Sequence, residues 1–222
     1  MNSKHEVLRY LGYRGQKLSS ELSARIDDAM AECRAVSRAR HILRRFSFVQ
    51  EDKGLCLAGT DIRLRGKAIS RHLAQAKEVA LLAVTLGTEI EMSIRRAQYS
   101  DLAYALMLDA AASQRIEEVC DAAEASLRIQ VAAEGLCLGS RFSPGYDDLP
   151  LELQTSLLTL LDATRRIGLN CTDKHLLTPG KSVTALIGIF QGKAPDTERG
   201  CDHCPRQKSC FAAGHTSPQT GL

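Results

Sequence analysis

The sequence predicts an α+β fold, and three observations carry the assignment. Helical and extended segments follow one another without the regular strand–helix alternation of a doubly wound sheet. Val79 to Leu86 is an unbroken apolar run closed by Gly87, long enough for a buried central strand and short for a buried helix. Asp101 to about Val131 is Ala-rich and free of proline, and it reads as one long helix with Leu102, Leu106, Ala110, Ile116, Val119 and Cys120 turned inward.

The remaining elements follow from local signals. Val7, Leu8 and Leu11 at helical spacing predict a short helix from Glu6 to Tyr13 that stops at Gly12 and Gly15. Ser19 or Ser20 caps a second helix carrying Leu22, Ile26, Met30 and Cys33 as far as about Val36. Ile42–Val49 and Leu55–Leu57 are strand-like and flank the turn residues Glu51, Asp52, Lys53 and Gly54, which predicts a hairpin. Ile62 and Leu64 extend it, a short helix spans Ala68–Gln75, and Thr88–Ala97 is helical. Gly135 ends the long helix, Leu136–Arg141 forms a strand, and Ser143, Pro144 and Gly145 make a tight turn. After Asp148 an apolar stripe through Leu158, Leu161 and Ile167 predicts helix up to Gly168. Cys171–Leu177 and Ser182–Phe190 then read as two strands joined across Thr178, Pro179 and Gly180.

Composition sets the limits on function. The 222 residues are 44% hydrophobic and 25% charged, enough to bury a full core. No apolar run approaches a bilayer span and no secretory leader precedes the first helix, so a cytoplasmic protein with no membrane partner is expected. A net charge of +3, aromatic content of 5% and no Trp argue against nucleic acid as the partner. Cys33, Cys56, Cys120, Cys137 and Cys171 are spread among apolar neighbours and are expected to act as small hydrophobes. Residues 1–190 are expected to form the main domain. Residues 191–222 form a Cys-rich appendix whose last residues, from Thr216, cannot build a core.

Two places could carry chemistry. Arg141, Phe142, Ser143, Pro144, Gly145 and Tyr146 place a guanidinium, a rigid bend and an amphipathic ring within six residues. The guanidinium can bind a carboxylate through two hydrogen bonds, glycine lets backbone approach a ligand, and tyrosine adds a flat apolar face with a hydroxyl. A surface turn with a solvated arginine is the plainer alternative. Near the C-terminus Cys201, Cys204 and Cys210 have the spacing C-x2-C-x5-C, which suits an iron–sulfur cluster or zinc; Cys171, His203 or His215 could be a fourth ligand, or the site could stay open.

Arg141–Tyr146, continued by Asp147, Asp148, Leu149 and Pro150, resembles the R-x-x-x-G-Y signature of the activation (reactivation) domain of cobalamin-dependent methionine synthase. Pro179, Gly180, Lys181, Ser182 and Val183 resemble that family's P-G-x-S-V stretch, and Arg115–Glu118 its R-x-x-E. Glu6–Tyr13 resembles the start of stand-alone versions of the domain. The resemblance implies a bent, mainly antiparallel sheet flanked by helices, and S-adenosylmethionine as ligand. Arg141 would meet its carboxylate, Gly145 and Tyr146 would shape the wall, and Glu118 would meet its ammonium; otherwise Glu118 is a solvated carboxylate or an intrahelical partner of Arg115.

It further implies a role in reductive remethylation of oxidised cobalamin (vitamin B12). The cobalamin would be supplied by a partner methionine synthase that lacks its own activation domain, and the electron by a flavodoxin- or ferredoxin-like donor or by the cysteine cluster. Arg34, Arg38, Arg40, Arg44 and Arg45, five arginines in twelve residues, could meet such an acidic partner or form an ordinary solvated basic face. The alternatives are a reactivator of another corrinoid methyltransferase and a small zinc-binding module for interaction with nucleic acid or protein.

Overall fold

The computed structural model describes residues 3–51 and 54–192. The cysteine cluster lies outside the described residues, together with the expected appendix beyond residue 192.

Helices α1 (Ser3–Tyr10) and α2 (Ser20–Val36) lead into strands β1 (Arg40–Glu51), β2 (Gly54–Leu57) and β3 (Arg63–Leu64), then α3 (Lys67–His72) and β4 (Ala76–Thr85). Helices α4 (Glu89–Ser100) and α5 (Leu102–Ala133) precede β5 (Leu136–Phe142), and α6 (Leu153–Leu161) and α7 (Ala163–Ile167) follow it. The described chain closes with β6 (Asn170–Cys171), β7 (Leu177–Thr178) and β8 (Ser182–Gln191). The main sheet is open, with strand order β3-β2-β1-β4-β8-β5 and every pair antiparallel. The mixed helix and antiparallel-sheet class matches the α+β expectation, and β4 is central as its apolar run requires.

That run is continuous because both faces of β4 are covered. Ala80, Leu82 and Val84 face one core with Leu108, Cys120 and Leu127 of α5 and with Ile26 of α2. Val79, Leu81 and Ala83 face a second core with Leu57, Leu64, Ile69, Leu157 and Leu161. A strand alternates its side chains between faces, so two cores erase the polar half of the pattern. Among the described residues no helix is long and apolar enough to cross a membrane.

Three expectations are corrected. Leu102 and Leu106 do not point inward; they are 63% and 58% exposed, and α5 instead buries Ala105, Leu108, Ala112, Ile116, Cys120, Ala123, Leu127 and Val131. An Ala-rich helix offers two plausible stripes, and packing against α2 and α4 chose the one built from smaller residues. Cys171–Leu177 is not a strand beside Ser182–Phe190: its two ends, β6 and β7, pair with each other, while β8 pairs with β4 and β5. The helix ending at Gly168 is two helices, broken where Asp162 takes a left-handed conformation at φ 52°. Of the body cysteines, Cys33, Cys56 and Cys120 are buried, whereas Cys137 and Cys171 are partly exposed. Burial pushes the Cys120 thiol up to about 12, which leaves it unreactive.

The helical layer is tied down by charge. Ser19 Oγ accepts from Leu22 N–H at the start of α2, and Asp101 Oδ1 accepts from Tyr104 N–H at the start of α5. Glu118 on α5 accepts from Ser3 Oγ of α1 at 2.7 Å, from Arg34 Nη2 of α2 at 3.3 Å and from Arg115 Nη1 at 3.0 Å. Burial alone would raise its pKa, but hydrogen bonds from Gln114, Ser3 and Arg115 and the charge of Arg34 hold it at about 2.

A carboxylate held below its unfolded value stabilises the fold above that value, roughly pH 4.3, and loses the contribution as pH falls towards 2. Glu118→Gln is therefore expected to lower stability at pH 7 by on the order of 2 kcal/mol, with the difference from wild type vanishing near pH 2. Urea melts at pH 7, 4 and 2.5 check this; a difference that does not change with pH refutes the clasp.

Candidate functional site

The sheet's last pairing is incomplete, and the site lies where it stops. β8 pairs with β4 from Ser182 to Phe190, but β5 reaches only Phe142, opposite Leu186. Past Phe142 the chain bends away, and a cavity of about 510 Å³ opens beside the uncovered start of β8. Its lining combines Glu117 and Arg141 with Phe142, Ser143 and Tyr146 of the bend, Gln154 of α6, Leu177 of β7, and Ser182, Val183 and Thr184 of β8. The volume is that of a small-molecule site.

The bend is held by its own backbone and by α3. Gly145 N–H donates to Leu149 O at 2.9 Å, Tyr146 N–H to Ser143 O at 3.1 Å and Leu149 N–H to Tyr146 O at 3.0 Å. Gly145 sits at φ 86°, where a side chain is strained, and a Cβ there would lie 3.1 Å from Leu151 Cδ1. Asp148 anchors the far end: its carboxylate accepts from Lys67 N–H at 2.5 Å and Ala68 N–H at 3.1 Å, capping α3. Gly66 permits this approach, since a Cβ there would sit 2.5 Å from Asp148 Oδ1. Tyr146 is left 66% exposed on the cavity rim.

Arg141 leaves β5 on the α5 side, opposite Ile187 of β8. Its Nη2 donates to Glu117 Oε2 at 2.9 Å and Asp121 Oδ1 at 3.1 Å, and its Nε lies 3.0 Å from Glu124 Oε1. The carboxylates are four and three residues apart on α5 and so share a face. Burial opposes the charge on Arg141, but Glu124, the neighbouring Cys120, Glu117 and Asp121 outweigh it and raise the pKa above the ordinary arginine value. The guanidinium is permanently charged. One of its donors, Nη1, is buried and has no hydrogen-bond partner among the described residues. A buried charged donor left without an acceptor is costly until something accepts from it.

Of the residues singled out in the sequence, the structure brings Arg141 and Tyr146 together at the cavity, with Gly145 forming the bend between them. It does not bring Glu118 there. Successive helical residues are turned by about 100°, so Glu118 faces α1 and α2, and its neighbour Glu117 faces Arg141. The intrahelical pair with Arg115 is present at 3.0 Å. Glu117, Gln154 and Thr184 were not singled out in the sequence; the first is displaced by one position from the matched motif, and the other two are recognisable only once β5 is seen to end early.

The five arginines also divide. Arg34 pairs with Glu118, Arg45 with Glu78 and Glu134, and Arg44 lies over the Phe46 ring with Nη1 on Leu160 O. The P-G-x-S-V stretch is bolted to neighbouring helices: Gly180 N–H donates to Glu91 Oε1, and Lys181 Nζ pairs with Asp109 at 2.9 Å. Ser182 Oγ donates to Pro179 O at 2.6 Å, closing the turn that starts β8.

Gly145→Ala forces an L side chain into the left-handed region against Leu151, and is expected to cost about 1–2 kcal/mol in a denaturant melt while shifting the Tyr146 ring resonances. Wild-type stability with an unmoved Tyr146 would show that the bend does not depend on this glycine.

No protein-family model matches the chain, and no curated protein sequence matches it. Solved structures do. The MetH reactivation domain bound to AdoHcy (S-adenosylhomocysteine) superposes with a TM-score of 0.64 at 14% sequence identity, covering 89% of this chain and 77% of that one. At that identity the likeness is one of architecture, and the chain thus has the fold of the MetH reactivation domain.

Proposed function

We propose that the chain binds S-adenosylmethionine at the notch beside β8 and presents it for methyl transfer to the reduced cobalamin of a partner methionine synthase. The observation that carries the reading is Arg141 Nη1, a buried cationic donor with no hydrogen-bond partner among the described residues, in a residue that lines the cavity. It matches the ligand's carboxylate, and Glu117 on the same wall matches its ammonium. Around Arg141 the carboxylates of Glu117, Asp121 and Glu124 outnumber the two cations that pair with them, Arg141 and Arg128, which leaves local negative charge to favour a ligand that also carries a sulfonium. Tyr146 supplies an exposed aromatic edge at the mouth. AdoHcy in the structurally similar domain supports a ligand of this class.

The bound sulfonium supplies the chemistry, because methyl transfer from it is strongly downhill and traps a transiently reduced cobalt. The protein contributes position: it orients the donor, neutralises its amino-acid end and leaves the mouth open for a macromolecular acceptor. Such a role needs no general acid or base. Glu117 takes the part that the sequence resemblance assigns to Glu118.

Arg141→Ala is expected to weaken S-adenosylmethionine binding by about 2–5 kcal/mol, since the ligand carboxylate loses its paired cation. Titration calorimetry checks this; unchanged affinity rejects the notch as the site. For the C-terminal segment we infer from its three thiols an iron–sulfur centre that feeds the electron, with zinc as the rival occupant. Anaerobically purified protein is then expected to contain iron and sulfide, both reduced in Cys204→Ser. Stoichiometric zinc in their place reassigns the cluster to a structural role.

A further inference from the structure

A buried carboxamide also lines the notch. Gln154 is only 6% exposed, although it sits in the first turn of α6 where solvent would ordinarily be available. Its Oε1 accepts from Thr184 Oγ1. Its Nε2 has no hydrogen-bond partner among the described residues, and the residue lines the cavity. A carboxamide with one end fixed and the other aimed into a cavity is poised to recognise a ligand edge.

The backbone beside it is also open. Leu86 N–H donates to Lys181 O, which fixes the phase of the β4–β8 ladder. Val183 and Ala185 then exchange bonds with β4, while the N–H and C=O of Thr184 point the other way. β5 would pair with them, but it ends at Phe142, two residues short. The backbone donor and acceptor of Thr184, a residue only 2% exposed, therefore have no hydrogen-bond partner among the described residues; they lie next to the Gln154 amide in a cavity that Phe142 and Leu177 also line. Arg141 is opposite Ile187, three residues along β8, which separates the cation from this edge by about 10 Å along the strand.

We propose that Gln154 and the open edge of Thr184 read the base of the bound nucleoside, and that they select a 6-amino purine. An adenine edge alternates acceptor, donor and acceptor at N7, the 6-amino group and N1. A strand C=O and N–H with a neighbouring amide donor complement that order. A 6-oxo purine reverses the 6-position and N1, setting acceptor against acceptor and donor against donor. The inference rests on the S-adenosyl reading above, and assigns to Gln154 the specificity that reading leaves open.

The test is calorimetric binding of S-adenosylhomocysteine and S-inosylhomocysteine to the full-length chain, its Gln154→Leu variant and its Arg141→Ala variant. Wild type is expected to prefer the adenosyl compound at least about tenfold. Gln154→Leu should reduce that preference by at least about threefold, chiefly by weakening the adenosyl compound, while the Thr184 backbone keeps the remainder, whereas Arg141→Ala should weaken both compounds in equal proportion. Gln154→Glu, which keeps an acceptor for Thr184 Oγ1 but removes the donor, should reduce the preference like Gln154→Leu and serves if the leucine variant does not fold. A folded Gln154 variant that keeps the full preference overturns the assignment, as does a wild type that binds both compounds equally in an Arg141-dependent manner. A wild type that binds neither refutes the S-adenosyl reading itself.

Discussion

Strand β8 is paired along its whole length on one side and along half of it on the other, and the site follows from that asymmetry. The pairing with β4 runs from Ser182 to Phe190, while β5 covers only the second half of the strand. The bend after Phe142 takes the chain away before the sheet can close over Ser182–Thr184. Sheet edges with free backbone groups invite pairing with other chains, so proteins usually cover or shorten them. Here the uncovered piece lines a cavity together with residues of α5, α6 and the bend, and Thr184 within it is only 2% exposed.

Helix α5 binds the two halves of the molecule to this notch. It is 32 residues long, about 48 Å at the usual rise, and one side of it forms much of the core between sheet and helices. Its neighbouring acids serve different structures: Glu117 meets Arg141 at the cavity, and Glu118 clasps α1 and α2. The second arrangement explains why an acid so close to the site is held at about 2 without taking part in it. A depressed carboxylate marks a strong ionic environment, and a stabilising clasp produces one as readily as a binding site does.

Much of the architecture was legible in the residue pattern because burial on two faces, proline-free alanine runs and glycine stops leave unambiguous marks. The Val79–Leu86 run could be little else than a central strand. Phase was harder. Leu102 and Leu106 are larger than Ala105 and Ala112, yet the smaller residues face inward because α2 and α4 approach closely, and no property of α5 alone says so. The short β6–β7 hairpin and the break at Asp162 depend on tertiary pairing and on one left-handed residue. At the site, Arg141, Gly145 and Tyr146 stand in a contiguous motif and could be read together. Glu117 could not be separated from Glu118 without the helix rotation, and Gln154 on a surface-like helix looks like a solvated residue until its burial is seen.

The three carboxylates around Arg141 have a consequence for how quickly the cavity can fill and empty. A long cationic side chain free in solution must surrender roughly 2 kcal/mol of rotamer freedom when a ligand captures it. Spaced along one rigid helix, Glu117, Asp121 and Glu124 immobilise this one as the chain folds, so the capture step has little ordering left to do. A receptor assembled beforehand can release one ligand without collapsing and accept the next without rebuilding.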